Sequence, residues 1–193
     1  LLSLLGMMIG VACLVLAMAV FSGYETALTR SVQDVTGHLI VMKRGFGDQS
    51  EILPEIKPLV PGLLGATPFA YVEAVLAHKG KINGVVIEGV DPTTVGEVLS
   101  LKGRVQAGEF DLHDDENEPT ILIGKGIAER FGIQVGDTVR IVVPLASEFD
   151  ASSFRPKLAR FRVAGIIHFG RYDFDSRYVI AHLKSAQKLA EIG

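Results

Sequence analysis

The chain has 193 residues, a net charge of −3 and 48% hydrophobic residues. A charge this close to zero supplies no basic field, which excludes a nucleic-acid-binding role. Cys13 is the only cysteine, so we expect no intrachain disulfide. That fits a bacterial periplasmic or cytosolic domain better than a small secreted scaffold.

The first 22 residues carry no charge, and the first charged residue is Glu25. About 20 apolar residues are enough to cross a ~30 Å hydrocarbon core as a helix, so this run predicts a transmembrane helix that continues beyond the bilayer and ends at Gly37. A signal peptide usually has a shorter apolar core of ~7–15 residues, and a buried core helix usually has a polar face. Because the sequence begins without Met and ends at Gly193, we expect a fragment of a longer protein.

The remainder alternates short strands and helices, which predicts an open-sheet α+β domain. The predicted strands are 38–43, 67–79, 85–90, 120–123, 138–143, 159–169 and 178–181. The predicted helices are 51–60, 125–131 and 183–192, and 95–99 is a short helix or a turn. We expect a turn at 81–84 and irregular structure over 101–110.

Motifs for catalysis or ligand binding are weak throughout. Gly124-Lys125-Gly126 lacks the Walker A spacing and is typical of a tight strand-to-helix turn. The histidines lie apart without metal-ligand spacing, and His168 is expected in the core. The acidic run 111–118 favours a solvated loop over a cation site. We therefore predict no catalytic residue, no metal site and no cofactor in this chain.

The segment 144–157 (PLASEFDASSFRPK) joins two strong predicted strands. Hairpin loops mostly have ~2–5 residues, and longer ones are commonly functional or disordered. Two hypotheses remain, an unstructured insertion and a partner-binding arm. In the second, Phe149 and Phe154 anchor the partner, and Pro156 lowers the entropy cost of binding.

Two blocks carry a resemblance to a known family. The run LLGMMIGVACLVLAMAVFSGYE resembles the first membrane helix and its exit in LolC/LolE permease subunits of lipoprotein-releasing ABC transporters. The block ILIGKGIAERFGIQVGDTVRIVVP and the strand at 163–167 are similar to that family's periplasmic strand, helix, turn and strand.

The resemblance implies a division of the chain. It implies a transmembrane helix and extension over 1–37, and a split Porter-like α/β part with its first half at 38–92 and the start of its second at 178–193. A β-rich Sabre-like part is implied between them, at 93–177, with a hook loop at 144–158.

The resemblance also implies a function. Such permeases lie in the bacterial inner membrane with this domain in the periplasm. They pair with a cytoplasmic ATPase and a second permease subunit, identical or paralogous, and pass lipoprotein cargo from membrane lipid to a periplasmic carrier. The family's hook begins P-x-A-S-x-F and has a later proline, and the matching or neighbouring residues here are Pro144, Ala146, Ser147, Phe149, Phe154, Arg155 and Pro156. This hook favours a LolC-like or hybrid subunit.

Two further points stay open. Met7, Met18 and Phe21 could line a cavity for acyl chains, or face lipid and neighbouring helices. A MacB-like efflux permease, an FtsX-like signal transmitter and a membrane-anchored binding module are the alternative functions, and a hook is expected only in the lipoprotein-releasing type.

Overall fold

The computed structural model describes residues 2–41, 52, 56, 58–115, 118–146 and 154–191. The helices are α1 (Leu2–Thr36), α2 (Val95–Val98), α3 (Lys125–Phe131), α4 (Tyr172–Asp175) and α5 (Leu183–Ala190), with a 3₁₀ turn at Lys102–Arg104. The strands are β1 (Phe69–His78), β2 (Lys81–Val90), β3 (Val105–Gly108), β4 (Thr120–Gly124), β5 (Thr138–Ala146), β6 (Phe154–Ile167) and β7 (Tyr178–His182).

Helix α1 has 35 residues, and its apolar part is long enough to cross a membrane. The side chains of residues 2–29 are exposed around the whole helix, as expected for a lipid-facing segment. The helix ends at Gly37, whose φ of +73° is readily adopted by glycine. Gly37 lies against Val98 and Leu99, so the end of α1 meets the folded domain at α2.

The strands form one mixed sheet in the order β3-β6-β4-β7-β2-β1-β5. An additional pairing of β5 with β6 joins six of them into a closed circuit. Two pairs are parallel, β2 with β7 and β4 with β6. The predicted mixture of helices and strands is therefore confirmed, whereas the sheet is closed on itself rather than open. The division into Porter-like and Sabre-like parts remains a prediction.

Side chains of β2, β4, β6 and β7 alternate between two hydrophobic cores. One core lies inside the circuit and receives side chains from all six strands together with α3 and α5. The other covers the outer face of β2, β4, β6 and β7 and is closed by residues of the segment from Val95 to Leu112. In β2, Val85 and Ile87 face the first core and Val90 faces the second.

Several predicted elements differ from the structure. The described residues of the predicted strand 38–43, namely 38–41, are not in a strand, and half of the predicted helix 51–60 lies outside the described residues. The first hairpin turns at Lys79 and Gly80, whose positive φ values of 46° and 80° suit a two-residue turn. The predicted turn at 81–84 was wrong, because these residues already belong to β2.

Gly89 allows α5 to pack closely on β2. A Cβ atom at Gly89 would lie 2.4 Å from Cβ of Ala186, so we expect Gly89→Ala to displace the helix and lower the free energy of unfolding by about 2 kcal/mol. Thermal unfolding followed by circular dichroism measures the loss. Gly84→Ala in the same strand is the matched control, because a Cβ there meets nothing within 4 Å. Equal melting temperatures for Gly89→Ala and Gly84→Ala would contradict the close packing of α5 on Gly89.

Candidate partner-binding hairpin

Strands β5 and β6 form a hairpin that extends past the rest of the sheet. Strand β5 pairs with β1 only from Arg140 to Val142, and β6 pairs with β4 only from Arg162 onward. The two strands remain paired with each other as far as Ala146 and Phe154. Among the described residues, positions 144–146 and 154–156 therefore form a two-stranded projection, which we call the arm.

Two prolines face each other at the start of the arm. Pro144 pairs with Pro156, and both are exposed. Proline has no N–H to donate to a neighbouring strand. The pair therefore discourages a further strand from adding to either edge here.

Val143 and Lys157 form the layer of the hairpin directly before the arm. Val143 is 4% exposed and belongs to the inner core, while its cross-strand partner Lys157 is half-buried. Lys157 Nζ donates to the carbonyl oxygen of Lys188 at 2.5 Å and lies 3.3 Å from Glu191 Oε1. The base of the arm is thus fixed on one strand by apolar packing and on the other by polar contacts with the end of α5.

The opposite end of β5 is fixed by a tight turn. The Gln134 N–H donates to Asp137 Oδ2 at 3.0 Å, and this hydrogen bond lowers the pKa of the Asp137 carboxyl. The carbonyl of Thr138 lies 3.2 Å from Nδ1 of the buried His78 on β1. These contacts define where β5 leaves the turn.

The sequence-predicted hook residues are only partly covered by the described chain. The structure brings Ala146 opposite Phe154 and Leu145 opposite Arg155, by their backbones. Ser147 and Phe149 lie outside the described residues. The prediction of one long loop over 144–158 was wrong in extent, because both flanking strands continue into it. The pairing of β5 with β6 continues beyond the residues whose strong hydrophobic pattern predicted the two strands. The binding role of these residues remains a prediction.

The predicted cargo-lining residues are all exposed on α1. Met7, Met18 and Phe21 are spaced so that they fall within about 60° of one another around a helix. Met18 and Phe21 border a shallow groove with Leu14, Ala17, Ser22 and Glu25. The helix thus carries these three side chains on one face.

Glu88 is a buried carboxyl that the sequence analysis did not single out. It is 8% exposed on β2, between Tyr71 of β1 and Ile180 of β7. Burial raises its pKa from 4.5 to about 7. The Tyr71 and Tyr178 hydroxyls lie 3.0 Å apart on this face, and burial also raises the pKa of Tyr178. A lone carboxyl within the apolar run VVIEGV was the available signal.

His168 and Asp175 form a polar contact near the end of β6. His168 is partly exposed rather than in the core as expected, and its Nδ1 lies 2.9 Å from Asp175 Oδ2. Asp175 Oδ1 accepts the Phe169 N–H at 2.8 Å, which ties α4 to the end of β6. No group of three potential metal ligands occurs among the residues that the structure describes.

A family model for the MacB-like periplasmic core domain matches residues 1–192. The chain belongs to this family. Curated relatives named LolC and LolE confirm the resemblance to that family.

The chain is 28% identical to the lipoprotein-releasing system transmembrane protein LolC of Neisseria meningitidis serogroup B, strain MC58, over 97% of its own length. It is 26% identical to LolC of Xylella fastidiosa strain Temecula1 over 97% of its length and 24% identical to LolE of Haemophilus influenzae strain Rd over 96%. In each case it spans 45% of the relative.

Among solved structures, the chain resembles the extracellular domain of the ABC-type transporter YknZ from Gram-positive bacteria. The TM-score is 0.49 at 15% identity, over 74% of this chain and 65% of the other.

Proposed function

We propose that this chain is the first membrane span and periplasmic domain of a permease subunit in a lipoprotein-releasing ABC transporter. Support comes from its membership of the MacB-like family, its LolC- and LolE-named relatives and its exposed apolar helix. The localisation that follows is the bacterial inner membrane, with the sheet domain in the periplasm.

The arm is the observation that carries the proposal. It extends beyond the sheet as two paired strands, and its base is held by Val143 and Lys157. A prearranged projection loses less conformational entropy on binding than an unstructured loop of the same length. Because its exposed prolines disfavour pairing with a further strand, the partner is recognised by side chains of the arm. The proposed partner is the periplasmic lipoprotein carrier, which this arm holds near the membrane.

Release of a lipoprotein needs an energy source that we assign to another subunit. Each acyl CH₂ in lipid contributes about 0.8 kcal/mol of membrane affinity, so extraction of several chains requires coupled work. The sequence carries no Walker A spacing. A cytoplasmic ATPase subunit therefore supplies ATP hydrolysis, and a second permease subunit completes the path, with Met7, Met18 and Phe21 of α1 facing the acyl chains.

The arm also separates this proposal from a MacB-like efflux permease or an FtsX-like signal transmitter. Those functions agree with the family match alone. Capture of a soluble lipoprotein carrier requires a surface that reaches into the periplasm, and the arm supplies one. On this basis we favour a LolC-like or hybrid subunit.

Reconstitution tests the proposal. The full-length subunit, its companion permease and the cytoplasmic ATPase are placed in proteoliposomes with a triacylated lipoprotein. We expect ATP-dependent transfer of the lipoprotein to added carrier, and no ATP hydrolysis by the permease subunits alone. Transfer without ATP, or ATPase activity in the permeases alone, would contradict the assignment.

A further inference from the structure

The contact between Lys157 and the end of α5 lies where the arm leaves the folded core. Val143, opposite Lys157, belongs to the inner core, and the proline pair follows directly. A two-stranded ribbon is weakly stable by itself. The direction in which the arm projects therefore depends on what holds this layer of the hairpin.

Helix α5 offers a rigid support for that layer. Its buried residues Leu183, Ala186 and Leu189 pack against the sheet, and Ala186 lies in contact range of Gly89 on β2. The last carbonyl groups of a helix lack partners within the helix and carry partial negative charge. A lysine ammonium group is well suited to this position, and Lys157 Nζ donates to one of these carbonyls, that of Lys188.

Glu191 adds a second acceptor at the same place. It follows α5 with a left-handed φ of 55°, a conformation usually taken by glycine or asparagine. In this conformation its Oε1 lies 3.3 Å from Lys157 Nζ. The backbone at the helix end and the carboxylate thus converge on one ammonium group that belongs to the arm's base.

We propose that Lys157, held by the Lys188 carbonyl and Glu191, is a positioning residue that fixes the direction of the arm for partner capture. The role of Lys157 in partner capture rests on the proposed function, whereas its role in fixing the direction of the arm does not. Loss of the ammonium group leaves the strand pairing intact but frees the arm to sample more directions. The partner must then restrict these directions on binding, which costs conformational entropy.

A distance measurement tests the fixing of the arm directly. Spin labels are placed at Arg155→Cys in the arm and Gln134→Cys in the turn before β5, in the full-length subunit with Cys13→Ser, reconstituted in nanodiscs. We expect a narrow distance distribution with Lys157 and a clearly broader or shifted one in Lys157→Met. Lys157→Arg should restore the narrow distribution, because its guanidinium can still donate to both acceptors.

Lys125→Met is the matched control. Lys125 pairs with Glu129 on α3, and its side chain is 41% exposed against 40% for Lys157. We expect no change in the distribution with this variant. An unchanged distribution in Lys157→Met, or an equal broadening in Lys125→Met, would overturn the inference.

Carrier affinity tests the capture part on unlabelled protein. With purified periplasmic lipoprotein carrier as probe, we expect Lys157→Met to bind about tenfold more weakly, and Lys157→Arg to bind as the wild type. Unchanged affinity in Lys157→Met would overturn the positioning role. If the wild-type protein binds no carrier, the proposed function fails, while the distance measurement still decides whether Lys157 fixes the arm.

Discussion

Replacement of residues 144–156 by Asn-Gly is expected to abolish carrier capture. Val143 and Lys157 are directly paired across the hairpin, so a two-residue turn can join them without changing the strand register. The inner core and the contacts of Lys157 are retained. Because the proposed anchors are removed together, we expect at least a 100-fold loss of affinity for the carrier, measured by pull-down and titration with the full-length subunit.

A second arm variant tests whether capture depends on the side chains of residues 147–153 or only on the length of the hairpin. Keeping both prolines and replacing residues 147–153 by glycine and serine leaves the hairpin length unchanged. We expect this variant also to lose capture, and both variants to melt as the wild type does. Full capture by the shortened chain would contradict a binding role for the arm.

The stability of the domain is expected to fall as pH rises from about 5 to 7, because of Glu88. The unfolded carboxyl releases its proton near 4.5, whereas the buried one keeps it to about 7. Between these values the folded state binds more protons, so the free energy of unfolding decreases with rising pH. The full shift corresponds to about 3 kcal/mol. Below pH 4.5 and above pH 7, Glu88 causes no further change in the free energy of unfolding with pH.

Glu88→Gln is expected to remove this dependence while retaining the shape of the side chain. Thermal midpoints of the full chain in detergent, taken from pH 4.5 to 8, give the measurement. Glu73→Gln on the neighbouring strand β1 is the control, since Glu73 is exposed. A wild-type slope that persists in Glu88→Gln would show that another group causes the pH dependence.

Much of the fold follows from patterns visible in the sequence. The unbroken apolar run predicts α1, and Gly37 and Gly132 mark the ends of α1 and α3 through their left-handed conformations. The predicted strands 67–79, 120–123, 138–143 and 178–181 begin at or near the observed starts of β1, β4, β5 and β7. These features are local, so the sequence alone contains the information.

The features that sequence could not supply depend on distant contacts. Strand β3 is short and largely exposed, and it forms because it pairs with the end of β6. The pairing of β5 with β1, which together with the β5–β6 hairpin closes the sheet, joins residues about 65 positions apart. Nothing in the periodicity of either strand indicates that closure.

The candidate site also combines features that the sequence indicates with features that only distant contacts determine. Length and composition indicate a special segment between β5 and β6, but they place its boundaries wrongly, because strand pairing continues through Pro144 and Pro156. The support from Lys157 to the end of α5 bridges residues 31 and 34 positions apart. Only the folded chain brings that lysine to the base of the arm.

Site-specific photocrosslinking in living cells tests the central claim, that the arm holds the lipoprotein carrier. A photoreactive amino acid is placed at Pro144 in the arm, and in a separate strain at Tyr172 on α4, which is also exposed. We predict a crosslink to the carrier from position 144 and none from position 172. A carrier crosslink from 172 alone, or none from 144 in an active transporter, would contradict it.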